Sequence, residues 1–383
     1  MLGPMRRILL LFILVVILLM TGFIVYDTPQ NITNFVTFSK PPSLAWGFVH
    51  KTYVISLPHR DDRRVDIDKL MAHFQVENWV YHDGTYANTS LIKDTMRQVQ
   101  ALRASADYSE SETIHLPFTW PTDSDETYVS NETITGPISL SGAELWQAES
   151  VQDVEMPTEP MICAEDNFKL EKYSEELPQW RYLTAERVAT YHSHMSAVRR
   201  IVEDNSKAGA DLHREPGKVQ DHIALVLEDD VDMEVDLEAR MAQLMPLLPY
   251  DWDMLFLGFC WSQETDHPEI IGEYSRPIKS HLHPSYQPRC LHAYALSPAG
   301  AVRLLKHLRH PPFAYSRSVD LATEWLVWEK RLKKLHRGPS ACHSAEGHQN
   351  GYHADWWCAL AGVVGAWGSW DYWGGNIVFL VTF

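Results

Sequence analysis

Five apolar residues, Ile223-Ala-Leu-Val-Leu227, run directly into Glu228-Asp-Asp230, with Asp232 two positions further on. Such an uninterrupted run reads as a strand buried on both faces, which requires helices covering the sheet from either side. The flanking sequence supplies them. Val188, Tyr191, Met195, Val198 and Val202 recur at spacings of three and four before the strand, and Leu237, Met241, Leu244, Met245 and Leu248 do so after it. The alternation continues elsewhere. Tyr53-Val-Ile-Ser-Leu57, Met254-Leu-Phe-Leu257 and His292 to Ser297 read as strands. Ile67, Leu70, Met71 and Phe74 stripe one helix, and Ala301, Leu304, Leu305 and Leu308 stripe another. Strands alternating with amphipathic helices predict an α/β sheet with helices packed on its faces.

Ligands of such sheets bind at the carboxyl ends of strands, where the acidic cluster sits. Packed carboxylates repel one another, and partial burial adds desolvation, so a positive partner is expected. If the chain stays extended, Glu228 and Asp230 point the same way. Two oxygen ligands on one side suit Mg²⁺ or Mn²⁺ holding a substrate diphosphate. The competing reading is a solvated acidic turn at a helix start. In the loop His59-Arg-Asp-Asp-Arg-Arg64, which precedes the helix striped by Ile67, Leu70, Met71 and Phe74, the residues Arg60, Arg63 and Arg64 offer planar donors suited to phosphate. Ordinary pairing with Asp61 and Asp62 is the alternative there. His192 and His194 lie two apart on a helix, share no face and are not a metal pair. One is expected in a pocket and the other at the surface.

Arg6 and Arg7 precede an apolar run from Ile8 to Tyr26, long enough for a bilayer core of roughly 30 Å. We expect a cytoplasmic tail over 1–7, an uncleaved transmembrane anchor over 8–26, a stem over 27–50 and a lumenal domain over 51–340. Asn31, Asn88 and Asn131 head glycosylation sequons that suit that side of the membrane. The five cysteines lack metal-site spacing, and their odd number leaves at least one thiol unpaired within the chain. A net charge of −17 argues against a nucleic-acid partner. Much of that charge lies between Arg103 and Lys169, which enclose 14 acidic residues and no Lys or Arg. Residues 105–176 therefore read as a solvated, acidic insert peripheral to the sheet. The Trp- and Gly-rich end, 341–383, breaks from the preceding composition, and disorder or poor packing is expected from about residue 340.

Several blocks occur in a telling order: YVISLPHRDDRR, Asp83-Gly84, Ser193-His194 in YHSHMSAVRRI, ALVLEDDVD, WDMLFLG, HAYALSPAGAVRLL and Val319-Asp320. Together they resemble family 25 glycosyltransferases, the group of lipooligosaccharide and procollagen β-galactosyltransferases, in a fungal-type membrane-anchored form. The resemblance implies a glycosyltransferase A-type, Rossmann-like mixed sheet. It implies inverting transfer from a UDP-sugar, often UDP-galactose, to a glycan or glycoprotein acceptor, assisted by Mn²⁺ or Mg²⁺, at a Golgi or endoplasmic reticulum membrane. Glu228, Asp229 and Asp230 match the family's metal and donor motif, with Glu228 and Asp230 as the metal ligands and Asp229 on the donor. Arg60, Arg63 and Arg64 match its basic turn, and Asp83 its Asp-Gly element, all on the donor side. His194 and Asp320 match pocket residues, with Asp320 the preferred catalytic base. Two rival readings use the same residues. A metal-dependent phosphoesterase would recruit further ligands such as His343, His348 and His353. A non-catalytic lumenal binding protein would keep the fold without turnover.

Overall fold

The computed structural model describes residues 47–104, 113–115, 120, 159–165, 169–211, 221–249, 251–257, 281–310, 312–332 and 378–382, all within the compact unit Ser43–Phe383. The chain runs β1 (Lys51–Ser56), α1 (Asp61–His73), β2 (Trp79–Asp83), α2 (Ser90–Ala104), β3 (Thr113–His115), β4 (Lys169–Glu171), α3 (Ala185–Ala208) and β5 (Ala224–Glu228). There follow α4 (Leu237–Leu244), β6 (Met254–Phe256), β7 (His281–Pro284), β8 (Ala293–Leu296), α5 (Pro298–Leu308), α6 (Val319–Trp328) and β9 (Val378–Thr382). Seven strands form one mixed sheet in the order β2-β1-β5-β8-β6-β9-β7. Strands β2, β1 and β5 are mutually parallel, and β8 is antiparallel to both β5 and β6. The expected α/β architecture, a mixed sheet flanked by helices, is what the chain adopts.

Alternation along the strands explains the two helical layers. Tyr53 and Ile55 of β1, with Ala224 and Val226 of β5, enter one core with Val198 and Ile201 of α3 and Leu304 of α5. Val54, Leu225 and Leu227 point the other way, onto Ile67 and Met71 of α1 and Met241 and Leu244 of α4. Each fully buried aliphatic side chain contributes about 1.5–3 kcal/mol, so a one-residue slip of β5 would forfeit both layers at once. Helix α3 is well delimited. The Thr184 hydroxyl caps its start by accepting from Arg187 N, and Gly209 closes it at φ +67°, a conformation open to glycine without strain.

Chain order places a topological switch between β1 and β5. After β1 the chain turns through α1 to β2 on one side, and later returns to lay β5 on the other. At such a reversal the two connections diverge and leave a crevice outside the carboxyl ends.

Several sequence expectations need correction. Phe48 and Val49, assigned to the stem, are buried, and His50 N donates to Ile223 O. The solvated reading of 105–176 fails at Met161–Ala164, which are buried, and Arg103 donates to the carbonyls of Ile162 and Ser316. Within that stretch β3 and β4 pair in a two-stranded sheet of their own. Disorder from residue 340 does not hold at 378–382, where β9 pairs parallel to β6 and antiparallel to β7. Cys290 is disulfide-bonded and Cys163 is a buried free thiol. The tail, the anchor over 8–26, the sequons at Asn31 and Asn131 and residues 341–377 lie outside the described residues. Among the described residues no helix is long and apolar enough to cross a membrane.

One close approach ties α5 to the sheet. Ser297 caps Gly300 N with its hydroxyl, Ser297 N donates to Asp253 O, and the Arg303 guanidinium pairs with the buried Asp253 carboxylate. A Cβ on Gly300 would overlap the Asp253 backbone, which cannot swing aside as a side chain would. Gly300→Ala is expected to cost about 3 kcal/mol, the upper end for overpacking, measured by urea denaturation.

Candidate functional site

Helix α1 begins at Asp61, directly after Arg60, so Arg63 and Arg64 lie in its first turn rather than in a loop. Asp61 and Asp62 favour that early start, because acidic residues suit the positive end of a helix. The three arginines then diverge. Arg63 reaches across the switch to β5, where its Nη1 donates to Asp229 Oδ1 at 2.6 Å and to Asp230 Oδ2 at 3.0 Å. Arg64 turns toward β2, donating to Asp83 Oδ1 at 2.7 Å and to the Ser56 carbonyl at 3.2 Å, with its guanidinium 4.5 Å from the Tyr81 ring centre. Arg60 folds back on Asp62, with two bonds of 2.9 and 2.7 Å. The ordinary ion-pair reading is therefore the right one for Arg60.

The same strand pattern separates the carboxylates. Glu228 is the last residue of β5 and continues the face of Ala224 and Val226, toward α3. Its Oε1 lies 3.0 Å from His194 Nε2, and His194 Nδ1 lies 3.1 Å from the Tyr294 hydroxyl on β8. An ionised Glu228 has no proton to give, so Nε2–H donates to it and Nδ1 accepts from Tyr294. Burial alone would raise the Glu228 pKa, but the hydrogen bond from His194 and the nearby positive charge of Arg63 outweigh it and leave the carboxyl below its ordinary value. Burial, with the Glu228 charge, pushes the Tyr294 phenol up, so it stays a hydrogen-bond donor.

Beyond Glu228 the strand gives way to a turn at Asp229-Asp230. Glu228 and Asp230 consequently do not share a side as an extended chain would require. Asp230 joins Asp229 on Arg63, while Glu228 faces His194. The expected Mn²⁺ or Mg²⁺ site is corrected on that ground. The carboxylates already have a guanidinium and an imidazole as partners, and among the described residues no three His, Cys, Asp or Glu side chains are grouped to hold a metal ion.

His192 and His194 are both buried, which overturns the surface assignment for one of them. His192 Nδ1 lies 2.9 Å from Thr85 Oγ1, and Ser193 Oγ accepts from Thr85 N, so the pair anchors the segment after β2 onto α3. Gly84 N donates to Ser56 O, closing the Asp83-Gly84 element onto β1. Asp320 is half-exposed in the first turn of α6 and forms no hydrogen bond or ion pair with the crevice residues among those described. Sequence reasoning missed Tyr294 and Ser56. Tyr294 stands in a strand whose polar partner is 100 positions away in sequence, so no local pattern announces it.

No protein-family model matches the chain. No curated protein matches it either. The chemistry of the site thus rests on its own geometry: two arginines at a helix start, each held by carboxylates, beside a third carboxylate held by a histidine.

Two outcomes follow. Because the Glu228 pKa is lowered in the folded protein, its ionised form adds stability above its ordinary value of 4.5, and that part is lost as pH falls through the folded value. The stability gap between wild type and Glu228→Gln, from urea melts, is expected to be largest at neutral pH and to shrink below about pH 4.5. Adding about 1 mM Mn²⁺ is expected to move Tm by less than about 1 °C, since stabilisation by a ligand requires a site that binds it.

Proposed function

We propose that the chain is an inverting glycosyltransferase that moves a sugar from a UDP-sugar to a hydroxyl of a glycan or glycoprotein, with UDP-galactose the first candidate donor. The observation that carries this reading is Arg63, at the start of α1, bridging the β1/β5 switch to Asp229 and Asp230 beside a His194-bound Glu228. The ordered sequence blocks support the family 25 assignment and a glycosyltransferase A-type sheet. The positive end of α1 and the remaining N–H groups of the Arg63 guanidinium suit a diphosphate, which would add to a guanidinium that already holds two carboxylates through Nη1. Asp229 and Asp83 flank that position.

In the transfer step an acceptor oxygen attacks the anomeric carbon, the bond to the diphosphate breaks, and its electron pair leaves with UDP. Arg63 and the helix start offset the charge that develops on the leaving group. The acceptor proton passes to Glu228, which must lie within about 2.6–3.2 Å of the hydroxyl. His194, fixed by Tyr294, holds that carboxylate ionised and oriented. The base role passes from Asp320 to Glu228 because Glu228 stands in the crevice with the arginine. A Golgi or endoplasmic reticulum setting, single-pass and with the domain lumenal, is supported by the disulfide at Cys290 and the exposed Asn88 of a sequon.

The test is UDP release by the purified full chain across a panel of UDP-sugars, with and without glycan acceptors. Arg63→Ala and Glu228→Gln are each expected to lower kcat at least about 100-fold, the scale for losing one charge-stabilising or proton-accepting group. Arg60→Ala is expected to stay within about twofold, because its guanidinium is spent on Asp62. Donor binding with no turnover on any sugar would favour the non-catalytic binding protein; full activity in Arg63→Ala would refute the mechanism.

A further inference from the structure

At the amino ends of β1 and β2, about 17 Å along β1 from the crevice at 3.3 Å per residue, lies a cavity of about 400 Å³. Lys51, Tyr53 and the last turns of α3, with Asp204, Asn205 and Lys207, form its walls. A second cavity of about 440 Å³ shares Asp204 and Lys207 and adds Arg199 and Arg200.

Three features distinguish this region. Asn205 is buried, 7% exposed, and its Nδ2 has no hydrogen-bond partner. A buried amide left unpaired costs about 1–3 kcal/mol, so an acceptor oxygen beside it would recover a real penalty. The charges are also unbalanced. Asp204 is already satisfied by Lys51 Nζ and the Tyr53 hydroxyl, both at 2.8 Å, and Glu203 accepts from Arg199 at 2.8 Å. Lys207 makes no ion pair among the described residues, and Arg200 donates to the Tyr81 carbonyl rather than to a carboxylate. Lys207 thus has no carboxylate partner among the described residues, and Arg200 feels the Asp204 charge without forming an ion pair with it, in a chain of net charge −17. Finally, the negative end of α3 is blunted. Gly209 N donates to Ser206 O, and Ala210 N to Asn205 O, covering carbonyls that would otherwise repel an anion.

We propose that these neighbouring cavities, which share Lys207, are a second binding site, distinct from the crevice, for an oxyanion group, a phosphate or a carboxylate. Lys207 and Arg200 supply the charge, and the Asn205 amide supplies the neutral donor. The site does not depend on the transferase reading and can fail or succeed apart from it.

Equilibrium dialysis of the full chain against labelled inorganic phosphate tests it, in an Arg63→Ala background that removes the main phosphate ligand of the crevice. About one phosphate per chain is expected to remain bound. Lys207→Ala, at an exposed position that leaves the fold intact, is expected to weaken it about tenfold, as for loss of a charge-assisted hydrogen bond. Asn205→Ala is expected to weaken it several-fold. Displacement by acetate would assign the site to carboxylates, and failure of acetate to compete would assign it to phosphates. No binding in the Arg63→Ala chain, or binding indifferent to both Lys207→Ala and Asn205→Ala, would overturn the proposal.

Discussion

Adjacent carboxylates at the end of a buried strand are an electrostatic liability, and in this protein one guanidinium answers it. Arg63 binds Asp229, whose side chain is 10% exposed, and Asp230, which is 52% exposed. Without it the buried member would face both desolvation and its neighbour's charge. The bridge also sets geometry. It joins the start of α1 to the turn after β5, and so spans the β1/β5 switch. Both bonds come from one nitrogen, Nη1, which leaves the other N–H groups of the guanidinium free of these two carboxylates. The separation of Glu228 from Asp230 follows from the same point, because the turn that delivers Asp229 and Asp230 to Arg63 ends the strand at Glu228.

The strands and helices that carry the site were legible where burial is two-sided. In β1 and β5 every second residue feeds a different helical layer, so continuous apolar runs betray them. Strand β2, Trp79–Asp83, escaped because it is half-buried and mixes polar with aromatic residues. Strand β9 escaped because its composition merges with the Trp- and Gly-rich end. The start of α1 was misjudged because a run of six charged and polar residues looks like a loop, although its two aspartates suit a helix start. In the site, the residue types could be read but not their partners. Nothing local distinguishes Arg60, which closes on Asp62, from Arg63, which closes on residues 166 and 167 positions away. The metal expectation failed for a similar reason, since an extended register was assumed where the chain turns.

Some blocks that carry the family resemblance have structural work. Trp252 and Asp253 are fully buried, and Asp253 with Arg303, Ser297 and Gly300 docks α5 on the sheet beside β8. Strand β8 also carries Tyr294, which lies 3.1 Å from His194 Nδ1, while His194 Nε2 lies 3.0 Å from Glu228. A charge pair buried this deeply adds little net stability, yet removing one partner strands the other.

The proposed transfer requires the β1/β5 crevice to receive a nucleoside diphosphate at the start of α1. Hydrogen exchange of the full chain with and without UDP measures it directly, because amides that gain an acceptor or lose solvent exchange more slowly. The account predicts slower exchange over residues 61–64 and 228–230 when UDP is added. Unchanged exchange across both segments at saturating UDP would contradict it.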